Sequence, residues 1–194
     1  MSFVMREQAI AWLQDNVSPQ RLDHILGVEA TAIALASVYG LDTQTAATAG
    51  LLHDLAKFFP PQKLLAIAQE HHLDLDPILE TTPHLIHADI SAIVAQQEFK
   101  ITDSDILNSI RFHTLGMPEM SKLACVIFVA DAIEPTRGSD PSLEKLRQVA
   151  SHNLEQAVRM TCDYTLDYLV KHHKIIHPRM ILTRNWALQR EKEN

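Results

Sequence analysis

The sequence predicts an all-α fold, a bundle of roughly eight to ten helices in which residues 1–194 form one domain. Two observations lead to this prediction. Apolar residues recur three and four positions apart through most of the chain, which is the spacing of one face of an α-helix. The chain also has few turn residues, with 5 glycines in 194 residues, and its aromatic content is 6%, which disfavours a fold of many short strands.

The first part of the chain contains four predicted helices. Ser18 and Pro19 are typical of a helix start, because serine caps the first turn and proline fits the first helical position. Gly40 ends the helix that begins there, and Asp42 or Thr43 caps the next one. That third helix is apolar on nearly all sides, so we expect it to be the central buried helix. The predicted helices of this region cover residues 4–16, 19–39, 46–58 and 62–71.

The remainder of the chain contains a connection between prolines and six further predicted helices. Pro77 and Pro83 enclose a segment that we expect to be irregular. Thr102, with Asp105 three residues later, resembles a capping box and predicts a helix start. Residues 121–133 are strongly apolar and suit a buried strand or a buried helix, and we assign a helix because no second convincing strand is present to pair with them. The predicted helices cover residues 87–99, 102–113, 121–133, 151–173 and 178–191, and one more begins at residue 141.

The composition excludes several classes of protein. A formal net charge of −7 disfavours a nucleic-acid binder, which needs a basic surface to displace counterions. Cys125 and Cys162 lie in apolar helical segments, and we expect reduced core thiols, as in a cytosolic protein. No secretory signal pattern begins the sequence, and no apolar stretch approaches the ~20 residues that cross a bilayer. We therefore expect a cytoplasmic protein without nucleic-acid or membrane partners, and a homodimer stays open.

The clearest chemistry lies in the run GLLHDLAK at residues 50–57, which places His53 beside Asp54. Apolar neighbours on both sides predict burial, and a buried charge must be compensated. A divalent metal ion compensates a carboxylate and is also bound by a neutral imidazole. The pair therefore predicts a metal site whose other ligands lie elsewhere in the sequence.

Candidate ligands occur at five places in five helical segments. Each lies within an apolar helical run or at its edge, where an unpaired polar side chain is costly. Four imidazoles and two carboxylates are too many for a closed zinc site, but they suit two metal ions that share a bridging carboxylate and keep open positions for water and substrate. We predict Asp54 as the bridge. The candidate ligands are His24, His53, Asp54, His87, His113 and Asp131.

This ordered set resembles the ligand set of the HD-domain metal-dependent phosphohydrolases that carry two metals. Three segments are also similar to the bacterial YqeK family of symmetrical diadenosine tetraphosphate hydrolases. They are LLHDLAK at residues 51–57, HTLG at residues 113–116 and ADAIEPTR at residues 130–137. The similarity extends from about His24 to Arg137, which is most of the chain.

The resemblance implies two metal sites that share Asp54. The ligands of the first are His24, His53, Asp54 and Asp131, and those of the second are Asp54, His87 and His113. Lys57 and Arg137 match positions that contact phosphate oxygens, so with Asp54 they are the implied catalytic residues. Thr114 lies where a loop hydroxyl or amide reaches the substrate. His84, one helical turn before a ligand, is a further candidate for substrate contact.

Some residues depart from the family pattern or allow more than one interpretation. Ala88 replaces a usual glycine and Leu115 a usual threonine, and both changes lie in the substrate wall. Glu134 either supports a ligand or handles a proton, or it is a solvated carboxylate at a helix end, and both interpretations stay open. Six histidines in polar contexts are expected at the surface: His71, His72, His152, His172, His173 and His177.

The resemblance implies a hydrolase that splits diadenosine tetraphosphate symmetrically into two nucleoside diphosphates, with a water molecule activated by two metal ions. It implies iron, although these ligand types also accept manganese, cobalt, nickel or zinc. Two alternatives stay open: an HD phosphohydrolase of another nucleotide, such as a nucleoside monophosphate or a cyclic nucleotide, and a regulatory module that binds a nucleotide without turnover. The complete ligand set disfavours the module, because a structural role does not need open metal positions.

Overall fold

The structure, a computed structural model, describes residues 3–193, and all the regular structure in that range is helical. Eleven α-helices lie within these residues, together with 3-10 helices at Pro83–Ile86 and Pro135–Arg137. The α-helices are α1 (Phe3–Asn16), α2 (Pro19–Val38), α3 (Thr43–Leu52), α4 (Pro61–Glu70), α5 (Pro77–Thr81), α6 (His87–Glu98), α7 (Ser104–Phe112), α8 (Lys122–Ile133), α9 (Pro141–Ala150), α10 (Leu154–Lys171) and α11 (Pro178–Glu193). The predicted all-α class is confirmed.

Helices α3, α6 and α8 form the centre of the bundle. Residues 123–130 of α8 are all buried, so the apolar segment is a core helix, as predicted. Helix α2 packs closely on α3 at Gly50, where an added Cβ would lie 3.0 Å from the Cα of Glu29. Glycine therefore brings the backbones of α2 and α3 together, and both helices end up beside the same buried space.

Short polar side chains cap most helices. The Ser18 hydroxyl accepts a hydrogen bond from the first turn of α2, and the Asp42 carboxylate caps α3, as predicted. The prediction for α7 is wrong in detail, because Asp103 rather than Thr102 caps the helix. The Asp103 carboxylate accepts from the amide of Asp105 at 2.8 Å, an aspartate turn that satisfies the free amides at the helix start.

Helix α3 ends at Leu52, whereas the sequence predicted a helix as far as Phe58. Residues 53–58 form turns instead. The amide of Ala56 donates to the Ser91 hydroxyl on α6 at 3.0 Å, so a partner from another helix replaces the helical carbonyl. This change of backbone direction places the end of α3, and the residues that follow it, at the bundle centre.

Three other expectations are corrected. The segment expected to be irregular contains helix α5, which Asp76 caps by accepting from the amide of Ile78 at 2.8 Å. Helix α10 begins at Leu154, because Asn153 caps it. His177 is buried rather than exposed, and its Nε2 is paired with Oδ2 of the same Asp76 at 2.7 Å.

Two further expectations concern the cysteines and the length of the apolar helices. Cys125 and Cys162 are both free and buried. Among the helices of residues 3–193, none combines the length and the apolar character that crossing a bilayer requires.

Candidate metal centre

Three of the candidate histidines lie at helix ends, where the backbone itself orients them. His53 follows the last residue of α3, His113 follows the last residue of α7, and His87 begins α6. Each imidazole donates its Nδ1 hydrogen to the carbonyl oxygen three residues earlier, in the last turn before the histidine. The acceptors are Gly50, His84 and Ile110, at 2.7, 2.6 and 2.7 Å. These bonds place the hydrogen on Nδ1 and leave the Nε2 lone pair to face the site.

The fourth histidine, His24 on α2, is oriented by a side chain. Its Nδ1 lies 2.8 Å from Oε1 of Glu134, which is fully buried. Burial alone would raise the pKa of Glu134, but hydrogen bonds from Thr136 and His24 lower it below its ordinary value. Glu134 is therefore an ionised acceptor that supports His24, and the alternative of a solvated carboxylate is wrong.

Asp54 faces the histidines with both of its oxygen atoms. Oδ1 lies 3.1 Å from Nε2 of His87 and 3.5 Å from Nε2 of His113. Oδ2 lies 3.5 Å from Nε2 of His53 and 3.0 Å from Nη1 of Arg21. The two oxygens of one carboxylate thus face different nitrogen atoms. Oδ1 faces His87 and His113, and Oδ2 faces His53 and Arg21.

Asp131 lies on the other side of His53. Its Oδ1 is 3.0 Å from Nε2 of His24 and 3.8 Å from Nε2 of His53, and it also accepts a hydrogen bond from Arg137. Burial alone would raise the pKa of Asp131, but the hydrogen bond with His24 and the charge of Arg137 lower it well below the ordinary range. Asp131 is therefore a carboxylate at neutral pH.

The arrangement fits a bound cation. Burial lowers the pKa of His53 to about 3 and that of His87 to about 4, so both imidazoles are neutral at pH 7. Nε2 of His87 and Nε2 of His113 lie 3.1 Å apart, and both carry lone pairs because both hydrogens are on Nδ1. Nε2 of His53 and Oδ1 of Asp54 are buried without a hydrogen-bond partner among the described residues. A metal ion relieves the repulsion among these electron-rich atoms.

Two groups of donor atoms are compact enough to hold an ion. In each group the ligand atoms all lie within 4.8 Å of one another. The first group is His24, His53 and Asp131, and the second is His53, Asp54 and His113. His87 adjoins the second group, so the structure brings all six predicted ligands together around one buried space.

An open cavity of about 430 Å³ leads to these donors. Three cationic side chains line it, Arg21, Lys57 and Arg137, and Nζ of Lys57 lies 3.3 Å from Nε2 of His87. The Thr114 hydroxyl lies 3.2 Å from the same nitrogen. Positive charge beside a carboxylate-rich centre is suited to a polyanionic ligand.

Two features of this cavity were not predicted from the sequence. Arg21 was not predicted as a site residue, although it lies one helical turn before His24, and this spacing was the available signal. No role was predicted for α10, whose side chains form one wall of the cavity. The lining residues from α10 are Thr161, Tyr164, Thr165 and Tyr168. The His84 side chain does not line this cavity but lies in a neighbouring one.

The comparisons with known proteins agree with this geometry. The sequence profile of the HD domain matches residues 21–136, a stretch that contains all six candidate ligands. The chain belongs to the HD-domain family. Metal ligation by histidine and aspartate is thus expected of it, and the two donor groups of this HD domain suit divalent metal ions.

Relatives of this HD-domain chain align over almost its whole length. Bis(5'-nucleosyl)-tetraphosphatase, symmetrical, from Bacillus subtilis (strain 168) is 37% identical over 183 residues, which cover 94% of this chain and 97% of that protein. The protein of the same name from Halalkalibacterium halodurans is 37% identical over 187 residues, which cover 96% and 99%. A crystal structure from Clostridium acetobutylicum, described as a predicted HD superfamily hydrolase involved in NAD metabolism, has a TM-score of 0.91 at 35% identity and covers 95% and 97%. The predicted resemblance is confirmed.

Proposed function

We propose that this HD-domain chain hydrolyses diadenosine tetraphosphate at its central anhydride and releases two ADP molecules. The names of the Bacillus and Halalkalibacterium relatives support this substrate, since this chain spans nearly all of both proteins. The reaction adds the water oxygen to one central phosphorus, while the bridging oxygen leaves on the other half. Each product then ends in a phosphate group, and the two protons of the water molecule go to these groups or to solvent.

The observation that carries the proposal is the convergence of four histidine Nε2 atoms and two carboxylates on one buried space open to a cationic cavity, and three of those nitrogens carry lone pairs. We assign two metal ions with Asp54 as the shared ligand, because its oxygen atoms face different nitrogen donors. The first ion takes His24, His53, Asp54 and Asp131, and the second takes Asp54, His87 and His113. Iron is the assigned metal.

When bound, such ions lower the pKa of a water molecule and polarise phosphoryl oxygens. The residues of the chain supply the rest. Lys57, Arg21 and Arg137 line the cavity and attract the tetraphosphate, and Lys57 and Arg137 contact its non-bridging oxygens. The Thr114 hydroxyl, 3.1 Å from Nε2 of His113, donates to the substrate from the loop after α7.

Product analysis combined with elemental analysis tests this function. Protein purified without added metal is expected to contain two iron ions per chain and to convert diadenosine tetraphosphate into ADP alone. Formation of AMP and ATP would contradict symmetrical cleavage. Inertness toward diadenosine tetraphosphate, together with turnover of a nucleoside monophosphate or a cyclic nucleotide, would overturn the substrate assignment.

Lys57→Ala tests the role of the cationic lining separately from metal binding. The variant is expected to lower kcat/KM about 100-fold, since one charge-assisted hydrogen bond to a phosphate is worth roughly 1.5–3 kcal/mol. Its metal content is expected to match that of the unaltered protein. Lys100→Ala is the matched control, because Lys100 is exposed and its ammonium group donates to the backbone of Gln97, away from the cavity.

A further inference from the structure

A second cavity of about 350 Å³ lies beside the metal-centre cavity. Consecutive residues divide the two spaces on both sides. In the loop after α7, Thr114 lines the first cavity and Leu115 the second, and on α10 Tyr168 lines the first and Leu169 the second. The two cavities are therefore neighbours, separated by a partition that consists of the loop after α7 and of α10.

Basic side chains lead from the metal centre into this second cavity. Lys57 lies at the metal centre, and His84 and Lys174 line the second cavity. The carbonyl of His84 accepts from His87 at 2.6 Å, so His84 joins the metal centre to the second cavity. Nζ of Lys174 is also 5.9 Å from the ring centroid of Tyr168, at the partition. Lys57 in the first cavity and Lys174 in the second thus place positive charge on both sides of the partition, which suits a row of phosphates.

The rest of the second cavity is mainly apolar. Its apolar lining includes Leu85, Leu115, Leu169, Ile175 and Met180. The imidazole of His177 also lies there, but its Nε2 is already paired with Asp76 at 2.7 Å. Apolar walls with a few polar groups at one end are typical of sites for a small organic group such as a nucleobase with its ribose.

We propose that the second cavity holds the distal nucleoside of a dinucleoside tetraphosphate, with Lys174 and His84 facing the phosphates that join it to the scissile bond. This inference rests on the proposed function. Cleavage at the central anhydride requires the two nucleosides to extend away from the metal centre on opposite sides of the bond that breaks. The two cavities, of about 430 and 350 Å³, provide one space for each half.

Filling the second cavity tests the inference. Ile175 lines it and its side chain is 59% exposed, so Ile175→Trp obstructs the cavity from the surface and leaves the core intact. The matched control is Ile181→Trp, because Ile181 is 44% exposed on α11 and lines neither cavity. The probes are diadenosine tetraphosphate as substrate and adenosine 5'-tetraphosphate, which carries one nucleoside only, as competitive inhibitor.

Ile175→Trp is expected to raise KM for diadenosine tetraphosphate about tenfold, the equivalent of losing one good apolar contact. It is expected to change the inhibition constant of adenosine 5'-tetraphosphate less than twofold. Ile181→Trp is expected to change neither constant. An unchanged KM in Ile175→Trp, or an equal change in both constants, would overturn the inference.

A second variant keeps the test independent of cavity filling. Lys174→Ala is expected to raise KM for diadenosine tetraphosphate about tenfold and to leave the metal content and the melting temperature unchanged. The control is Lys192→Ala, at an exposed position, which is expected to change neither KM, metal content nor melting temperature. An unchanged KM in Lys174→Ala would contradict the phosphate path.

If the unaltered, metal-loaded protein does not cleave diadenosine tetraphosphate, the proposed function itself fails. If it cleaves the substrate and the variants match their controls, only the second-cavity inference fails.

Discussion

The two sides of the metal centre hold their ligands in different ways. On the side of α3, α6 and α7, His53, His87 and His113 donate to backbone carbonyls three residues earlier, so we call them the backbone-anchored half. On the side of α2 and α8, Glu134 holds His24, and Asp131 is paired with Arg137, so these four residues form the side-chain-anchored half. The first half is oriented by the helix ends themselves. The second depends on partners that a single substitution can remove.

Asp54 belongs to neither half alone, so its removal is expected to have the largest effect. Asp54→Ala is expected to abolish turnover and to remove both metal ions, because its two oxygens face both groups of donors. Asp131→Ala is the comparison. It is expected to lose only the first ion, the one assigned to His24, His53, Asp54 and Asp131. Elemental analysis measures both outcomes, and circular dichroism checks that the helices remain. Full metal content in Asp54→Ala would contradict its bridging role.

Replacing the partner of His24 is expected to have the next largest effect. Glu134→Gln weakens the acceptor that fixes the His24 ring and is expected to lower metal affinity about 10- to 100-fold in the side-chain-anchored half. His84→Ala is the counterpart in the backbone-anchored half. It keeps the carbonyl that accepts from His87, so metal affinity is expected to stay unchanged. Equal losses in the two variants, measured by metal titration, would remove the distinction between the halves.

Replacing Gly50 or Gly27 with alanine tests the packing beside each half of the metal centre. At Gly50 the new Cβ meets the backbone of Glu29 at 3.0 Å, so α3 must move from α2 and the expected cost is about 1–3 kcal/mol of stability. At Gly27 the new Cβ meets the carboxylate of Glu134 at 2.5 Å, a side chain that can rotate. Gly27→Ala is therefore expected to lower metal affinity more and stability less than Gly50→Ala. Chemical denaturation and metal titration of both variants measure the two effects, and the reverse order would contradict this account.

The smallest expected effect is the pH dependence of the free energy of unfolding in the metal-free protein. Burial lowers the pKa of His53 to about 3 and that of His87 to about 4, from an ordinary value of 6.5. Between these values the unfolded chain binds more protons than the folded one, so stability is complete above pH 6.5 and decreases as the pH falls toward 4. The carboxylates Asp131 and Glu134 have lowered pKa values and add a further loss only below their ordinary values of 3.8 and 4.5.

Urea unfolding at several pH values measures this dependence. His87→Gln is expected to reduce the slope between pH 6.5 and 4, since the titrating imidazole is gone. His152→Gln, an exposed position, is expected to leave the slope unchanged. A flat stability profile in the unaltered protein over that interval would show that the buried imidazoles do not hold their lowered pKa values.

Local signals in the sequence were sufficient for most of the fold. Helical spacing of apolar residues and caps such as Ser18 and Asp42 depend on neighbours a few residues apart, and these predictions are confirmed. The early end of α3 was missed because the partner of the Ala56 amide is Ser91, on another helix. The burial of His177 was missed for the same reason, since its partner Asp76 lies 101 residues away.

The sequence alone therefore determined the fold class, the positions of the main helices and the six candidate ligands, because each of these is expressed in residue type and short-range spacing. The tertiary structure decided which groups support the ligands. The contact between His24 and Glu134 spans 110 residues, and the pairing of Arg21 with Asp54 spans 33. The wall formed by α10 likewise depends on how that helix packs on α8, α9 and α11. Such contacts form when distant segments pack into one core. Each polar group that is buried there needs a specific partner, because an unpaired buried polar group is costly.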